Sequence, residues 1–271
     1  MNPIKSTNTY KFFNHLVIYR KLIAAMAVHE VRSRYVGSIG GAFWLLIHPL
    51  ITASIYWFIF SVGFKVLPHG DIPFILFFLA GLAPWLTFQE ITTNSAECVV
   101  RSPHLVKKVV FPLEVLPIIY LLVGLVPQAA MILFLMCGVL YFHMDWSWAF
   151  LSGFYYLFAL MFFTLGLGWL FSSINVFFRD VSQGLAVGLG LWFWLTPIVW
   201  PLELLPEQYR FWLTLNPVYY IVEGYRDSFL YGIPFWQSGN GHLYFWLFSL
   251  CLFLLGRTVF KRLQGDFAEV L

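Results

Sequence analysis

Two arginines, Arg32 and Arg34, close a basic N-terminal segment, and Tyr35 follows them at the start of a long apolar run. Guanidinium groups suit planar, charge-assisted contacts with phosphate and equally suit anionic lipid headgroups; spacing alone leaves both readings open. Farther along, Ser102-Pro103-His104-Leu105-Val106-Lys107-Lys108 combines a helix start signal, a few apolar residues and two cations. That pattern predicts one or two turns of amphipathic helix, either a docking element or a plain basic topology signal. Glu223 and Arg226 stand three apart, adjacent on a short helix, where they neutralise each other or serve a gate. Glu90 and Glu114 are the thin candidates for an acid/base pair. The seven histidines are scattered, and Cys98, Cys137 and Cys251 are too far apart to suggest a metal cluster or disulfide framework. No GxxxxGK[ST] phosphate loop, HExxH or GxSxG occurs, so nucleotide hydrolysis by the phosphate-loop route is excluded and no cofactor is expected in this chain.

The elements that must position these residues are set by composition. Of 271 residues, 60% are hydrophobic and 11% charged, against roughly 45–50% and 25% in a soluble domain. Six runs lack Asp, Glu, Lys and Arg: 35–64, 72–89, 115–144, 146–178, 181–202 and 228–256, with lengths of 30, 18, 30, 33, 22 and 29 residues. About 20 apolar residues cross a ~30 Å hydrocarbon core, so six transmembrane helices are predicted. Residues 9–34 carry Phe12, Phe13, Leu16, Val17, Ile23, Met26 and Ala27 at near-helical spacing among charges, which predicts an amphipathic helix in the membrane interface. Residues 201–240 are rich in aromatics and prolines, and their short helical pieces predict a re-entrant hairpin.

Charge sets the orientation. With both termini cytosolic, the inside segments 1–38, 97–111, 175–183 and 257–271 hold 13 of the 16 Lys and Arg, as the positive-inside rule requires. The opening 34 residues are polar, hold six basic side chains and end in no small-residue cleavage site, so no secretory signal is expected. A net charge of +3 gives no argument for nucleic acid. Ionisable side chains avoid the predicted membrane core, Glu90 excepted. Coupling groups of a secondary transporter or proton pump are therefore missing, and the driving force must come from a second polypeptide. The organisation expected is a cytosolic or interfacial segment at 1–38, one all-α six-span domain at 39–262 with an external re-entrant hairpin at about 203–231, and a cytosolic tail at 263–271.

In that order along nearly the whole chain, Arg32-Ser33-Arg34-Tyr35-Val36-Gly37-Ser38 leading to Trp44 and Pro49, Leu105-Val106-Lys107-Lys108-Val109-Val110-Phe111-Pro112 with Pro117, Phe178-Arg179-Asp180-Val181, Pro197 with Pro201, Asn216-Pro217, Glu223 with Arg226, and Phe267-Ala268-Glu269 together resemble the type-2 ABC export permeases. The likeness is strongest to the Wzm-type subunits that export O-antigen and related polysaccharides. The resemblance implies a homodimer of six-span subunits in the bacterial inner membrane, paired with two copies of a cytosolic ATPase that binds ATP and Mg. The cargo implied is an undecaprenyl-pyrophosphate-linked polysaccharide taken from the cytosolic leaflet. It assigns ATPase docking to residues 9–34 and 98–108, with Arg101, His104, Leu105, Lys107 and Lys108. A smaller contact falls at the 177–183 turn, with Arg179 and Asp180. It makes Arg32, Arg34 and Tyr35 candidates for a pyrophosphate or lateral-gate site, and Asn216, Glu223 and Arg226 candidates for the external gate.

Polysaccharide conduits present ring faces to sugars, and Tyr56, Trp57, Trp192 and Trp194 are the candidates for such a lining. The membrane-interface belt accounts for more of the 56 aromatics. A teichoic acid or capsule glycan is the nearest alternative cargo. A membrane-embedded transferase acting on a lipid-linked sugar, with Glu90 and Glu114 as its acid and base, is the alternative from another class, and a non-enzymatic assembly scaffold is a third.

Overall fold

The structure is a computed structural model that describes residues 9–34, 41–63, 72–108, 111–145, 147–239 and 241–271; within the helices the side chains of 9–16, 42, 45, 46, 48 and 108 are outside the description. Every regular element among the described residues is helical. A long first helix, α1 (Thr9–Ser33), precedes α2 (Trp44–Trp57), which continues as a π-helix over Phe58–Gly63. Then come α3 (Phe74–Glu97), the short α4 (Pro103–Lys108), α5 (Leu116–Tyr141), α6 (Ser152–Phe177) and α7 (Asp180–Leu195). Two short helices, α8 (Glu207–Thr214) and α9 (Pro217–Arg226), are followed by α10 (Gly241–Leu263) and α11 (Phe267–Val270).

Among the described residues, four stretches are long and apolar enough to cross a membrane: Phe74–Glu97, Leu113–Tyr141, Trp148–Phe177 and Gly241–Leu263. They correspond to the second, third, fourth and sixth of the predicted spans. The predicted first and fifth spans are shorter as helices. The apolar part of α2 with its π extension runs Pro49–Gly63. Helix α7 has 16 residues, or ~24 Å at the α-helical rise. It ends because Thr196 takes an extended conformation, φ −100° and ψ 129°, the conformation imposed on the residue before a proline, here Pro197. The last span also begins later than the apolar run suggested. Residues 228–231 belong to a π-helical extension of α9, Asp227–Tyr231, and the span proper starts at Gly241.

Helix α3 is the hub, packing against α2, α5, α6, α7 and α9, while α10 leans chiefly on α6. In lipid, apolar burial does little to favour one helix pairing over another, so small residues and polar contacts select the neighbours. Gly256 of α10 meets Gly166 of α6 so closely that a methyl group on Gly256 would overlap the Gly166 carbonyl oxygen. Buried polar side chains supply the rest. Thr87 of α3 donates to Gln128 of α5, whose amide donates to the Tyr225 hydroxyl of α9 at 2.7 Å, and all three side chains are buried. An aromatic core (Phe78, Trp85 and Phe88 with Phe163, Phe193 and Phe245) fills the α3–α6–α7–α10 junction. A second core lies toward the end carrying most of the basic segments, where Ile23 and Ala27 of α1 meet Leu116 and Ile119 of α5, Phe260 of α10 and Phe267 of α11.

Candidate functional site

At this basic end the docking candidates sit on a rigid base. Leu105 and Val106 of α4 pack into the second core beside Phe267 and Leu271, and α11 contacts α4 directly. Arg101, His104 and Lys107 remain exposed. The side chain of Lys108 lies outside the described residues. Arg101 is ion-paired to Glu97 one turn earlier. Between α1, α4 and α5 opens a cleft of about 560 Å³ lined by His29, Glu30, Arg101, His104 and Leu105. The turn between α6 and α7 exposes Arg179 and Asp180. Its position is fixed by Asn175, whose amide donates to the Ala96 carbonyl of α3 at 3.1 Å while its oxygen accepts from the Ser182 N–H at 3.2 Å. Both exposed patches are thus tied to the end of α3.

The two arginines that follow α1's apolar face separate. Arg32 is exposed. Arg34 donates from Nη1 to Glu90 Oε1 at 2.5 Å, and its Nε lies 3.7 Å from Glu30 Oε1. Tyr35 lies outside the described residues. Glu90 is thereby paired with Arg34, just beyond α1, whereas Glu114 sits 3.6 Å from Lys261 Nζ. The two carboxylates of the acid/base alternative belong to different ion pairs.

Glu90 also lines a cavity of about 370 Å³ together with Thr87, Gln89, Thr93 and Asn94 of α3, Pro49 of α2, and Pro127 and Met131 of α5. Four of these polar residues, like Gln128, carry no formal charge and so passed unnoticed in a count of ionisable groups. Their signal is periodicity: 87, 90 and 94 with 89 and 93 beside them follow the i, i+3, i+4, i+7 pattern of one helix face.

At the opposite end, the short helices α8 and α9, with 8 and 10 residues, are too short to cross. Asn216 caps α9, its side-chain oxygen accepting from the Val218 N–H at 3.0 Å and from Trp192 Nε1 at 2.9 Å, while its amide donates to Thr196 Oγ1 at 2.8 Å. One residue thus closes the N-terminus of α9 and holds the broken end of α7. Asn216→Ala removes all three bonds, the cap among them; a cap alone contributes ~1 kcal/mol. A fall of about 5 °C or more in the thermal midpoint of the detergent-purified protein is expected, with Asn216→Asp, which keeps the acceptor, losing less.

Arg226 is fully buried. Its Nη1 donates to Glu223 Oε1 at 2.6 Å, its Nη2 to the Ile198 carbonyl at 2.9 Å and its Nε to the Phe77 carbonyl at 3.4 Å, and the guanidinium lies 3.5 Å from the Phe77 ring centroid. The four aromatic candidates divide. Tyr56 packs inward on Phe60, Phe78 and Phe193, and Trp192 meets Phe88 edge-on, whereas Trp57 and Trp194 are 42% and 53% exposed.

A family model described as ABC-2 type transporter matches residues 21–230, a stretch that contains the hub α3, α4, the α6–α7 turn and the short helices α8 and α9. An O-antigen export system permease protein RfbA of Klebsiella pneumoniae is 30% identical over 257 residues, covering 92% of this chain and 95% of the relative. A namesake from Myxococcus xanthus is 28% identical over 96% of this chain and 98% of its own length. The polysialic acid transport protein KpsM of Escherichia coli is 24% identical over 90% of this chain and 94% of its own. An embedded helical bundle with membrane-length apolar helices, two patches tied to the hub helix and near full-length likeness to export permeases lead to one assignment: this multi-pass membrane protein belongs to the ABC-2 type transporter permease family.

Proposed function

We propose that the chain is the membrane subunit of an ATP-driven exporter that moves an undecaprenyl-pyrophosphate-linked, O-antigen-like polysaccharide across the bacterial inner membrane. It works as a homodimer of six-span subunits with both termini in the cytosol, joined to two copies of a cytosolic ATPase that carries ATP and Mg. Helix α1 lies in the interface, α2 and α7 complete the six spans, and α8 and α9 form the external re-entrant hairpin. The observation that carries this reading is the likeness, at 28–30% identity over 92% of the chain, to proteins named as O-antigen export permeases. The capsule-type cargo is the second reading; the 24% likeness to KpsM, named a polysialic acid transport protein, supports a polysaccharide other than O-antigen. Charge agrees with the topology, since 13 of 16 Lys and Arg fall on one side. Mechanically, closure of the ATPase dimer against α4 and the α6–α7 turn would push the end of α3 as a rigid body.

The test is to purify the tagged chain from a membrane extract and reconstitute it with and without the ATPase it brings down. ATP hydrolysis and release of lipid-linked glycan to the far side are expected only with the ATPase. Hydrolysis or transport by the isolated chain would overturn the proposal.

A further inference from the structure

The cavity between α2, α3 and α5 is unusual for its place in the molecule. It opens on a helix that packs at the centre of the bundle, and five of its lining side chains, Thr87, Gln89, Glu90, Thr93 and Asn94, are polar. Polar groups inside a membrane bundle are costly and are kept where they meet a partner or a path. At about 370 Å³ the space is within the ~300–1,000 Å³ of small-molecule sites.

The chemistry of the lining selects the occupant. Among the described residues its one ionisable lining side chain is a carboxylate, and that carboxylate is already clamped by Arg34 at 2.5 Å; the guanidiniums beside the lining, Arg34 and Arg101, are both committed to carboxylates, Glu90 and Glu97, rather than free to hold a phosphoryl group. What it offers is hydroxyls, amides and one neutralised acid on one wall, faced by Pro49, Pro127 and Met131 on the other. Gln89 accepts from Trp85 Nε1 through its oxygen at 3.2 Å, which leaves its amide nitrogen as a donor. Asn94 donates to the Glu90 carbonyl at 2.9 Å, and its oxygen, which carries two lone pairs, accepts one bond from Arg101 Nη1 at 3.5 Å. A surface with donors and acceptors on one side and C–H groups on the other matches a pyranose ring, which has hydroxyls at its edge and apolar C–H faces.

We propose that this cavity is a subsite for the uncharged, hydroxyl-rich sugar units of the cargo, and that it excludes the cargo's phosphorylated headgroup. The inference rests on the polysaccharide-export reading and deepens it: Gln89, Thr93 and Asn94 hold sugar hydroxyls, and the Arg34–Glu90 pair cancels the charge at the rim.

The test uses the intact complex in living cells, with Gln89, which is exposed, replaced by the photo-crosslinker p-benzoylphenylalanine. Irradiation is expected to give a permease band that stains for carbohydrate after periodate oxidation. The band should vanish in a strain lacking the first sugar transferase of glycan assembly, which retains all its phospholipids. In parallel, Gln89→Leu with Thr93→Val should lower surface polysaccharide about ten-fold while the purified complex keeps its ATPase subunit and basal ATP hydrolysis. A crosslink only to phospholipid, identical in both strains, or the double variant exporting at the wild-type level, would overturn the sugar subsite. Failure of the underlying reading would look different: deleting the permease would leave surface polysaccharide unchanged.

Discussion

Replacing Arg226 with alanine is expected to release α9 from the bundle and to cost about 3 kcal/mol of stability, the low end of the range for stripping one partner from a buried ion pair, because Arg226 is fully buried while Glu223 is 30% exposed. The size follows from how many elements meet at one guanidinium. It holds Glu223 on its own helix, the Ile198 carbonyl in the turn after α7, and the carbonyl and ring of Phe77 at the start of α3. Removal leaves Glu223 half-buried and without its ion-pair partner. Space for the group was made by a glycine: a Cβ at position 81 would stand 3.0 Å from Arg226 Nη2. Arg226→Lys should rescue little, because a single ammonium cannot reproduce a planar fork serving three acceptors. Adding Glu223→Gln to Arg226→Ala should recover part of the loss by removing the stranded charge. The measurements are the thermal midpoint in detergent and protease cleavage within residues 203–231. An Arg226→Ala protein with unchanged midpoint and cleavage pattern would show that this residue does not anchor the short helices.

Much of this architecture was legible in the chain. Apolar runs placed four membrane-length helices, since a run of 20 or more uncharged residues has few other stable homes. The short pieces after Pro201 were recognisable because that stretch, rich in aromatics and prolines, holds only an apolar run too brief to reach across, and α8 and α9 have 8 and 10 residues. An apolar count runs straight through a proline, so the shortened α7 was legible only in Thr196-Pro197, which marks a broken outer end of that span and where Thr196 does turn extended. The Glu223–Arg226 adjacency was readable from a spacing of three, yet the wider role of Arg226 was not. Its contacts with Phe77 and Ile198 lie 149 and 28 residues away. The polar face of α3 escaped for another reason: Thr, Gln and Asn do not interrupt a run defined by formal charge, although their helical period was present in the sequence. Arg34 was singled out by type and position as a candidate for phosphate or lipid headgroups, but only the fold brings it to Glu90, 56 residues away.

Reversing the charge of α4, Lys107→Glu with Lys108→Glu, is expected to cut the ATPase recovered with the permease at least ten-fold, and export with it, while the permease itself inserts and melts as before. The expectation depends on what each side of α4 does. Its apolar residues Leu105 and Val106 are set into the core that also holds Cys98, Val99 and Phe267, so the helix is fixed in position before any partner arrives. Lys107 is exposed and contributes little to folding, as isolated surface charges generally do. Its effect should therefore appear in association, where a misplaced like charge at an interface costs several kcal/mol. A companion variant separates the two roles. Phe267→Ala removes a fully buried ring that stacks edge-on against Phe260 at 5.4 Å, so it should cost about 3–5 kcal/mol and lower the thermal midpoint and ATPase recovery together. Higher salt should weaken the wild-type complex and narrow its difference from the reversed variant, because screening acts on exposed charges. Full ATPase recovery by the reversed variant at low salt would mean that α4 supports the bundle without docking the motor, and that the push on α3 must come through the α6–α7 turn alone.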